Sequence, residues 1–338
     1  MNKKHLCIAL FLIVACTVSL TGWSDPFTPG NLVLADCKLD RLVEVKMGET
    51  ECEVIQVVTW PLGDMKRRRP LGIAFDSVGN CYVGCTGVPQ SATELVDYPT
   101  GLAEILRITP DGSQQFYRMP STIEKICWTK SFGPNEVFVM SNAFSSYPTY
   151  HFRVRFDGDT MLEPTLFEVS KELDGDGTAL VLSDGRVLIA NDSESVINIY
   201  DENGGEPVGQ IPTESNYNSL DYLEGAQFLV CLTNDQQSVD LVDFDGAVHD
   251  SWNFSDDGIQ QVFNVLFIPG DPDHFVCLDK NPNADTINKV FVYNANDFYE
   301  LPKVLPLVGL EAFGSTDESY FDYAFVTEPV AVSEWSIY

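Results

Sequence analysis

The sequence has 338 residues, 44% of them apolar, which allows a large core in one repeat-built domain or in two ordinary ones. Its 50 acidic residues outnumber 20 basic ones, for a formal charge of −30. That balance excludes a general nucleic-acid binder, whose affinity depends on Lys and Arg neutralising phosphates.

The chain opens with an expected export signal over residues 1–24. Lys3 and Lys4 give a positive start, Leu6 to Ala15 an apolar core, and small or polar residues follow. The apolar core is too short to span a bilayer as a permanent helix, and no later window approaches eighteen uninterrupted apolar residues, so no transmembrane segment is expected. Two cuts compete. One follows Ser24, with Gly22 and Ser24 as the small residues of the cleavage site. In the other, "IVAC", Ile13 to Cys16, resembles the bacterial lipobox, so the signal ends at residue 15 and Cys16 becomes a lipidated first residue. Both cuts place the product outside the cytoplasm, periplasmic or extracellular, and the second anchors it to the envelope by lipid. Both remove Lys3 and Lys4, leaving 18 basic against 50 acidic residues and a formal charge of −32.

Residues 25–338 read as one all-β domain. The first apolar run, "NLVLAD" from Asn31, returns as "NCYVGC" from Asn80, "EVFVMSN" from Glu136, "RVLIAND" from Arg186, "QFLVCLTN" from Gln227 and "HFVCLDK" from His274. After the second to fifth copies comes another strand and a turn bearing Asp or Asn with Gly, and after the sixth, more loosely, "YNAND". The last residues of these turns, Gly112, Gly158, Gly204, Gly246 and Asn296, are 46, 46, 42 and 50 positions apart. Six copies rich in β-branched and aromatic residues, with no useful helical period between them, predict four-stranded antiparallel blades of a β-propeller. Small twisted sheets have bare faces that only neighbouring blades can bury. Six blades fit best, with seven the alternative.

The first unit has no strand before "PGNLVLAD", and "GLEAFGS", Gly309 to Ser315, matches the first-strand pattern "LGIAFDS" from Leu71. The C-terminal segment is therefore expected to close the ring by supplying the N-terminal blade's innermost strand. The remaining "YFDYAFVTEPVAVSEWSIY" has room for two further strands.

Beyond Ser24 lie seven cysteines, Cys37, Cys52, Cys81, Cys85, Cys127, Cys231 and Cys277, an odd number that cannot pair completely within the chain. Most sit among Val, Phe and Leu, as buried small thiols do. Cys81 and Cys85, about 13 Å apart along one strand, cannot bridge each other. Cys37 and Cys52 have room to pair within the first repeat.

Propeller geometry sorts the loops onto two faces. Turns joining strands one to two and three to four are short and repetitive, as in "DSVGN" and "PDGS". Links between strands two and three and from blade to blade occupy the other face, and there blade two expands to Thr86 through Gly101, blade three to Asn142 through Tyr150 and blade six to Lys280 through Thr286. Insertions on one face of a repeat protein commonly mark its binding face. Tyr98, Phe144, Tyr147 and Tyr150 supply amphipathic rings suited to a protein, peptide or carbohydrate ligand, or else they pack their own loops. "KRRR", with Arg67, Arg68 and Arg69, is a basic run able to draw an anionic ligand or acidic partner, or else a solvated patch.

Polar residues close the second strands: Asp36, Asn142, Asp192, Asn234 and Asp279. Near the mouth of an axial channel they could ligate a divalent cation such as calcium. The competing account is that Asp and Asn cap turns through their own backbone. "LDGDGT", with Asp174 and Asp176, begins like a calcium loop but lacks its later acids. His151, His249 and His274 fall in different repeats.

Taken together, "PLGIAFDSVGNCYVG", "EILRITPDG" and "PGNLVLADCKLDRLVEV" resemble the NHL-repeat and gluconolactonase-like group of six-bladed propellers, which includes strictosidine-synthase-like proteins. The resemblance extends loosely from Gly30 to about Ser315. It implies a propeller, and for the enzymatic members a divalent metal held in the channel by Glu, Asp and Asn. The "EGP" and "PNG" motifs of those enzymes are missing from this chain. The expected function is an exported, non-catalytic propeller binding a ligand or protein through its elaborated face. A metal-dependent hydrolase or lactonase and a structural envelope component are the alternatives. Mass spectrometry of the mature N-terminus distinguishes the two cuts: Asp25 is expected for the ordinary signal, and a lipid-modified Cys16 for the lipoprotein.

Overall fold

The computed structural model describes residues 21–23, 25–90, 102–120, 126–141, 150–169, 178–191, 194–279, 288–297, 299–310 and 320–326. Within them the runs of alternating or continuous apolar residues form strands that assemble into six four-stranded antiparallel blades. From innermost to outermost, blade one comprises Tyr320–Phe325, Leu32–Asp36, Arg41–Met47 and Cys52–Val58. Blade two comprises Met65–Phe75, Cys81–Pro89, Leu102–Ile108 and Ser113–Arg118. Blade three comprises Ile126–Gly133, Glu136–Ser141, Tyr150–Asp157 and Thr165–Val169. Blade four comprises Thr178–Val181, Val187–Asn191, Glu194–Tyr200 and Gly209–Pro212. Blade five comprises Tyr217–Asp221, Leu229–Thr233, Ser238–Val242 and Val248–Asn253. Blade six comprises Val262–Ile268, Asp271–Asp279, Lys289–Asn294 and Lys303–Val308.

Each innermost strand packs against the next in a closed cycle, from blade two through blade six to Tyr320–Phe325 and back to blade two. The chain is a six-bladed β-propeller. Its core is distributed between the blades, one apolar cluster at each of the six junctions. Between blades one and two, for example, Val33, Ala35 and Leu42 meet Ile73, Phe75 and Val83. This follows from the sequence pattern, since runs such as "LVLA" and "FLVC" bury residues on both faces of the sheet.

Ring closure uses a different segment from the expected one. Gly309 stands in a left-handed turn at φ 90°, which ends the outermost strand of blade six, and no strand is assigned at Gly309 or Leu310. The closing strand is Tyr320–Phe325, paired antiparallel with Leu32–Asp36 from Leu32↔Phe325 to Asp36↔Tyr320. Its register puts Tyr323 and Phe325 into the junction with blade six and Ala324 into that with blade two. The seam is reinforced at the rim, where Leu307 and Val308 pair in parallel with Cys52 and Glu53 and join blades six and one into one eight-stranded sheet. Thr21–Trp23 adds a fifth strand to the outer edge of blade two, antiparallel to Ser113–Gln115. A cut after Ser24 removes that strand, and a cut before Cys16 keeps it.

The cysteines behave as small hydrophobes: Cys52, Cys81, Cys85, Cys231 and Cys277 are buried free thiols, and Cys37 is half-buried. Cys37 and Cys52 are not bridged.

Along the axis, innermost strands lack a sheet partner on one edge, and carboxylates take up exposed N–H groups there. The Ile73 N–H of blade two donates to Asp322 at 2.9 Å, and the Phe267 N–H of blade six donates to Asp221 at 2.7 Å. Asn264 joins the set, its side-chain amide donating to Asp322 at 2.7 Å while its own oxygen accepts from Ser219 at 2.6 Å. Burial raises the Asp322 carboxyl to about 6, and Lys130, whose charge favours the ionised form, opposes that rise.

Because the folded chain holds the Asp322 proton more tightly than the unfolded chain, this group adds stability as pH falls from about 7 towards 4. The increment is roughly 3 kcal/mol for a carboxyl raised from its ordinary value to about 6. Thermal melts of wild type and Asp322→Asn from pH 7.5 to 4 should show a smaller acid-side gain in the variant. Equal slopes would remove Asp322 from the account.

A candidate binding site between blades two and three

The loop-bearing face begins, in blade two, with the basic run. The structure separates its members. Lys66 is exposed. Arg67 grips Asp40 with Nε and Nη2 at 2.8 and 2.9 Å and donates to the carbonyls of Cys37 and Lys38. Its pKa is raised, first by the Asp40 hydrogen bond. This arginine fastens blade two to the link between strands two and three of blade one.

Arg68 is 2% exposed and lies inside the sheet stack. Its Nε donates to Glu104 at 2.7 Å, its Nη1 donates to the Pro61 carbonyl, and its guanidinium carbon is 4.2 Å from the centre of the Phe116 ring. Gly87 makes room for this pair, since a Cβ there would stand 3.0 Å from a Glu104 oxygen. Arg68 is therefore a structural cation and is not presented to a ligand.

Arg69 differs from both. It is half-buried, its Nε is closed off from solvent, and no acceptor among the described residues meets it. In register it stands opposite Thr86, whose buried hydroxyl likewise has no partner among the described residues. Strand alternation turns both side chains towards blade three, the side also faced by Tyr82 and Gly84. A Cβ at Gly84 would come within 2.5 Å of an Ile126 methyl and 2.7 Å of the Thr129 hydroxyl, so glycine lets the two blades meet here.

From blade three, Thr129 and Ser141 complete this surface. They are 0% and 1% exposed, and neither hydroxyl has a partner among the described residues. Ser141 pairs with Ile126, the residue packed on Gly84, and is the last residue of the second strand. The apolar junction formed by Tyr82, Ile105, Val137 and Val139 thus ends, towards the loop-bearing face, in a polar tier of Arg69, Thr86, Thr129 and Ser141. On the other side of the same sheet, His151 is 1% exposed beside Phe138, with both ring nitrogens unpartnered among the described residues. Burial depresses its pKa to about 3, so the imidazole is neutral at any ordinary pH.

Tyr150 is described and is 44% exposed at the start of the third strand of blade three. Tyr98, Phe144 and Tyr147 lie outside the described residues, as do Asn142, Asp192, Asp174, Asp176 and Cys16. The other strand-end residues have local partners. Asp36 accepts from the Lys38 and Leu39 N–H groups and pairs with Arg41 at 3.0 Å. Asp279 accepts from the Gln260 and Gln261 N–H groups at 2.8 and 3.3 Å. Asn234 is exposed. Among the described residues no three carboxylate, imidazole or thiol side chains gather as metal ligands.

The opposite face is occupied by its own turn chemistry. Asp111, Asp184, Asp201, Asp243 and Asn294 each accept a backbone N–H two residues on. A cavity of about 310 Å³ opens there between blades six and one, lined by Met47, Ile268, His274, Asn294 and Leu305 among others. Four of its polar side chains are paired with each other: His274 with Asp271 at 2.9 Å, and Asn294 with Glu300 at 2.7 Å.

No protein-family model and no curated protein matches the chain. Among solved structures it is similar to a protein of unknown function from Bacteroides caccae, with a TM-score of 0.55 and 12% identity over 86% of this chain and 97% of that one. It is also similar to the Pan2 WD40 domain of Neurospora crassa, with a TM-score of 0.44 and 15% identity over 70% of this chain and 66% of that one. The first likeness is one of fold.

The adjacent arginines give a direct test of these assignments. Arg68→Ala leaves Glu104 buried beside the half-exposed Arg118, and should cost about 3 kcal/mol in urea unfolding. Arg69→Ala removes an unpaired group and should stay within about 1 kcal/mol of wild type.

Proposed function

We propose that the protein is an exported, non-catalytic propeller that binds a ligand or protein partner through the loop-bearing face over blades two and three. One observation supports this reading above the others. Unpartnered buried polar atoms occur elsewhere among the described residues, as at Gln114 and Asn198, but Arg69, Thr86 and Ser141 bring several of them to one junction, on the strands of blades two and three that lead into the two longest sequence insertions. A buried polar group without a partner costs roughly 1–3 kcal/mol, and a ligand able to complete the hydrogen bonds recovers that cost. Rigid strands hold these groups in place while the links above them vary, the usual division between scaffold and specificity. We also take the blades to be NHL-like, on the strength of their sequence pattern and the six-blade ring.

Replacing residues 91–100 by a short Gly-Ser linker tests the assignment. Binding is read on carbohydrate and peptide arrays and by cross-linking to envelope extracts. The variant should melt within about 2 °C of wild type, since no described core residue is touched, and should lose at least about tenfold in affinity for whatever wild type binds. Undiminished binding by the folded variant would place the interaction elsewhere.

A further inference from the structure

Arg69 is a cation with no counter-ion among the described residues, in a chain with 50 acidic and 20 basic residues. On the same strand Arg67 has claimed Asp40 and Arg68 has claimed Glu104. The described acids on this strand's neighbours have partners of their own. Glu104 pairs in register with Cys85 and so faces away from Arg69, and Asp64 lies beside Arg68 and Arg118. No hydrogen bond or ion pair joins Arg69 to another described residue. Its Nε has given up hydration and gained no acceptor among the described residues in return.

The groups around it share one character. Thr86, Thr129 and Ser141 offer hydroxyl hydrogens, Arg69 offers N–H groups, and no carboxylate forms part of the tier. Arg69 can only donate, and each of the three hydroxyls can turn its hydrogen the same way, so in so acidic a chain the tier suits a group that only accepts. We propose that this tier binds the anionic group of the ligand, a carboxylate, sulfate or phosphate. Arg69 supplies the counter-charge, and Thr86 and Ser141 donate to its oxygens. Thr129, beside Gly84, closes the floor. The planar guanidinium fork suits two oxygens of such a group in a way that a lysine ammonium does not. The inference rests on the reading that the face over blades two and three is the binding face, and it names the chemistry recognised there.

The test uses the full chain with four probes at constant ionic strength: sodium sulfate, inorganic phosphate, D-glucuronate, and D-glucose as the neutral match to glucuronate. Binding is followed by calorimetry and thermal shift for wild type, Arg69→Gln, Arg69→Lys, Ser141→Ala and the control Lys66→Gln. At least one anion should bind saturably, and which one responds identifies the acid. Arg69→Gln should weaken it about tenfold or more, Arg69→Lys and Ser141→Ala less, and Lys66→Gln not at all. Absence of saturable anion binding, or equal binding by Arg69→Gln, overturns the proposal. An equal loss in Lys66→Gln reveals diffuse surface attraction and overturns it too. If glucose binds as well as glucuronate and both depend on Arg69, the anion assignment falls while the binding face stands. If the 91–100 replacement still binds the anion in an Arg69-dependent way, the anion site stands and the role given to the long link falls.

Discussion

An innermost propeller strand has a hydrogen-bonding partner on one edge and a neighbouring blade, or the axis, on the other. That half-paired edge is the constraint on which the rest of the structure depends. Asp322 and Asp221 answer it by accepting N–H groups from the innermost strands of blades two and six. Asp76 does the same at the short-turn end, where the Asn135 N–H of blade three donates to it at 2.9 Å. There the carboxylate also accepts from Asn80 and the Tyr82 hydroxyl, and Arg107 ties Asn80 to Asn135. Apolar junctions supply most of the cohesion between blades but are indifferent to register. These directional contacts fix the height at which one blade meets the next.

The fold was legible in the sequence because each blade repeats one grammar, and the period of the Asp/Asn-Gly turns marks it directly. Those turn residues bond their own backbone, so their spacing carries over into the structure unchanged. Closure was less legible. "GLEAFGS" copies the first-strand pattern, yet Gly309 adopts a turn conformation and the closing role falls to "YFDYAF", where Tyr323 and Phe325 enter one junction and Ala324 the other. A local pattern cannot reveal which of two similar segments finds the better pair of neighbours.

The proposed site was legible in its region but not in its residues. Insertions in blades two and three point to the face on which the proposal rests, and "KRRR" to the strand that carries Arg69. Three consecutive arginines look alike in the sequence, because their fates depend on which acceptors the folded neighbours bring within reach of each. Arg67 reaches a neighbouring blade, Arg68 a carboxylate within its own sheet, and Arg69 neither. Thr129 and Ser141 carried no signal at all, since an unpartnered hydroxyl looks like any other until its surroundings are assembled.

The closing strand also sets an order of events. The hydrogen bond between Ile73 and Asp322 joins residues 249 positions apart, and the strand bearing Asp322 comes within the last twenty residues of the chain. A chain emerging from its amino end exposes Leu32–Asp36, Arg41–Met47 and Cys52–Val58 long before their fourth strand exists. Blade one must wait with its Leu32 and Leu34 uncovered while five other blades are made. The circle is therefore locked by its final segment, and a chain truncated before Tyr320 is an arc with two sticky ends.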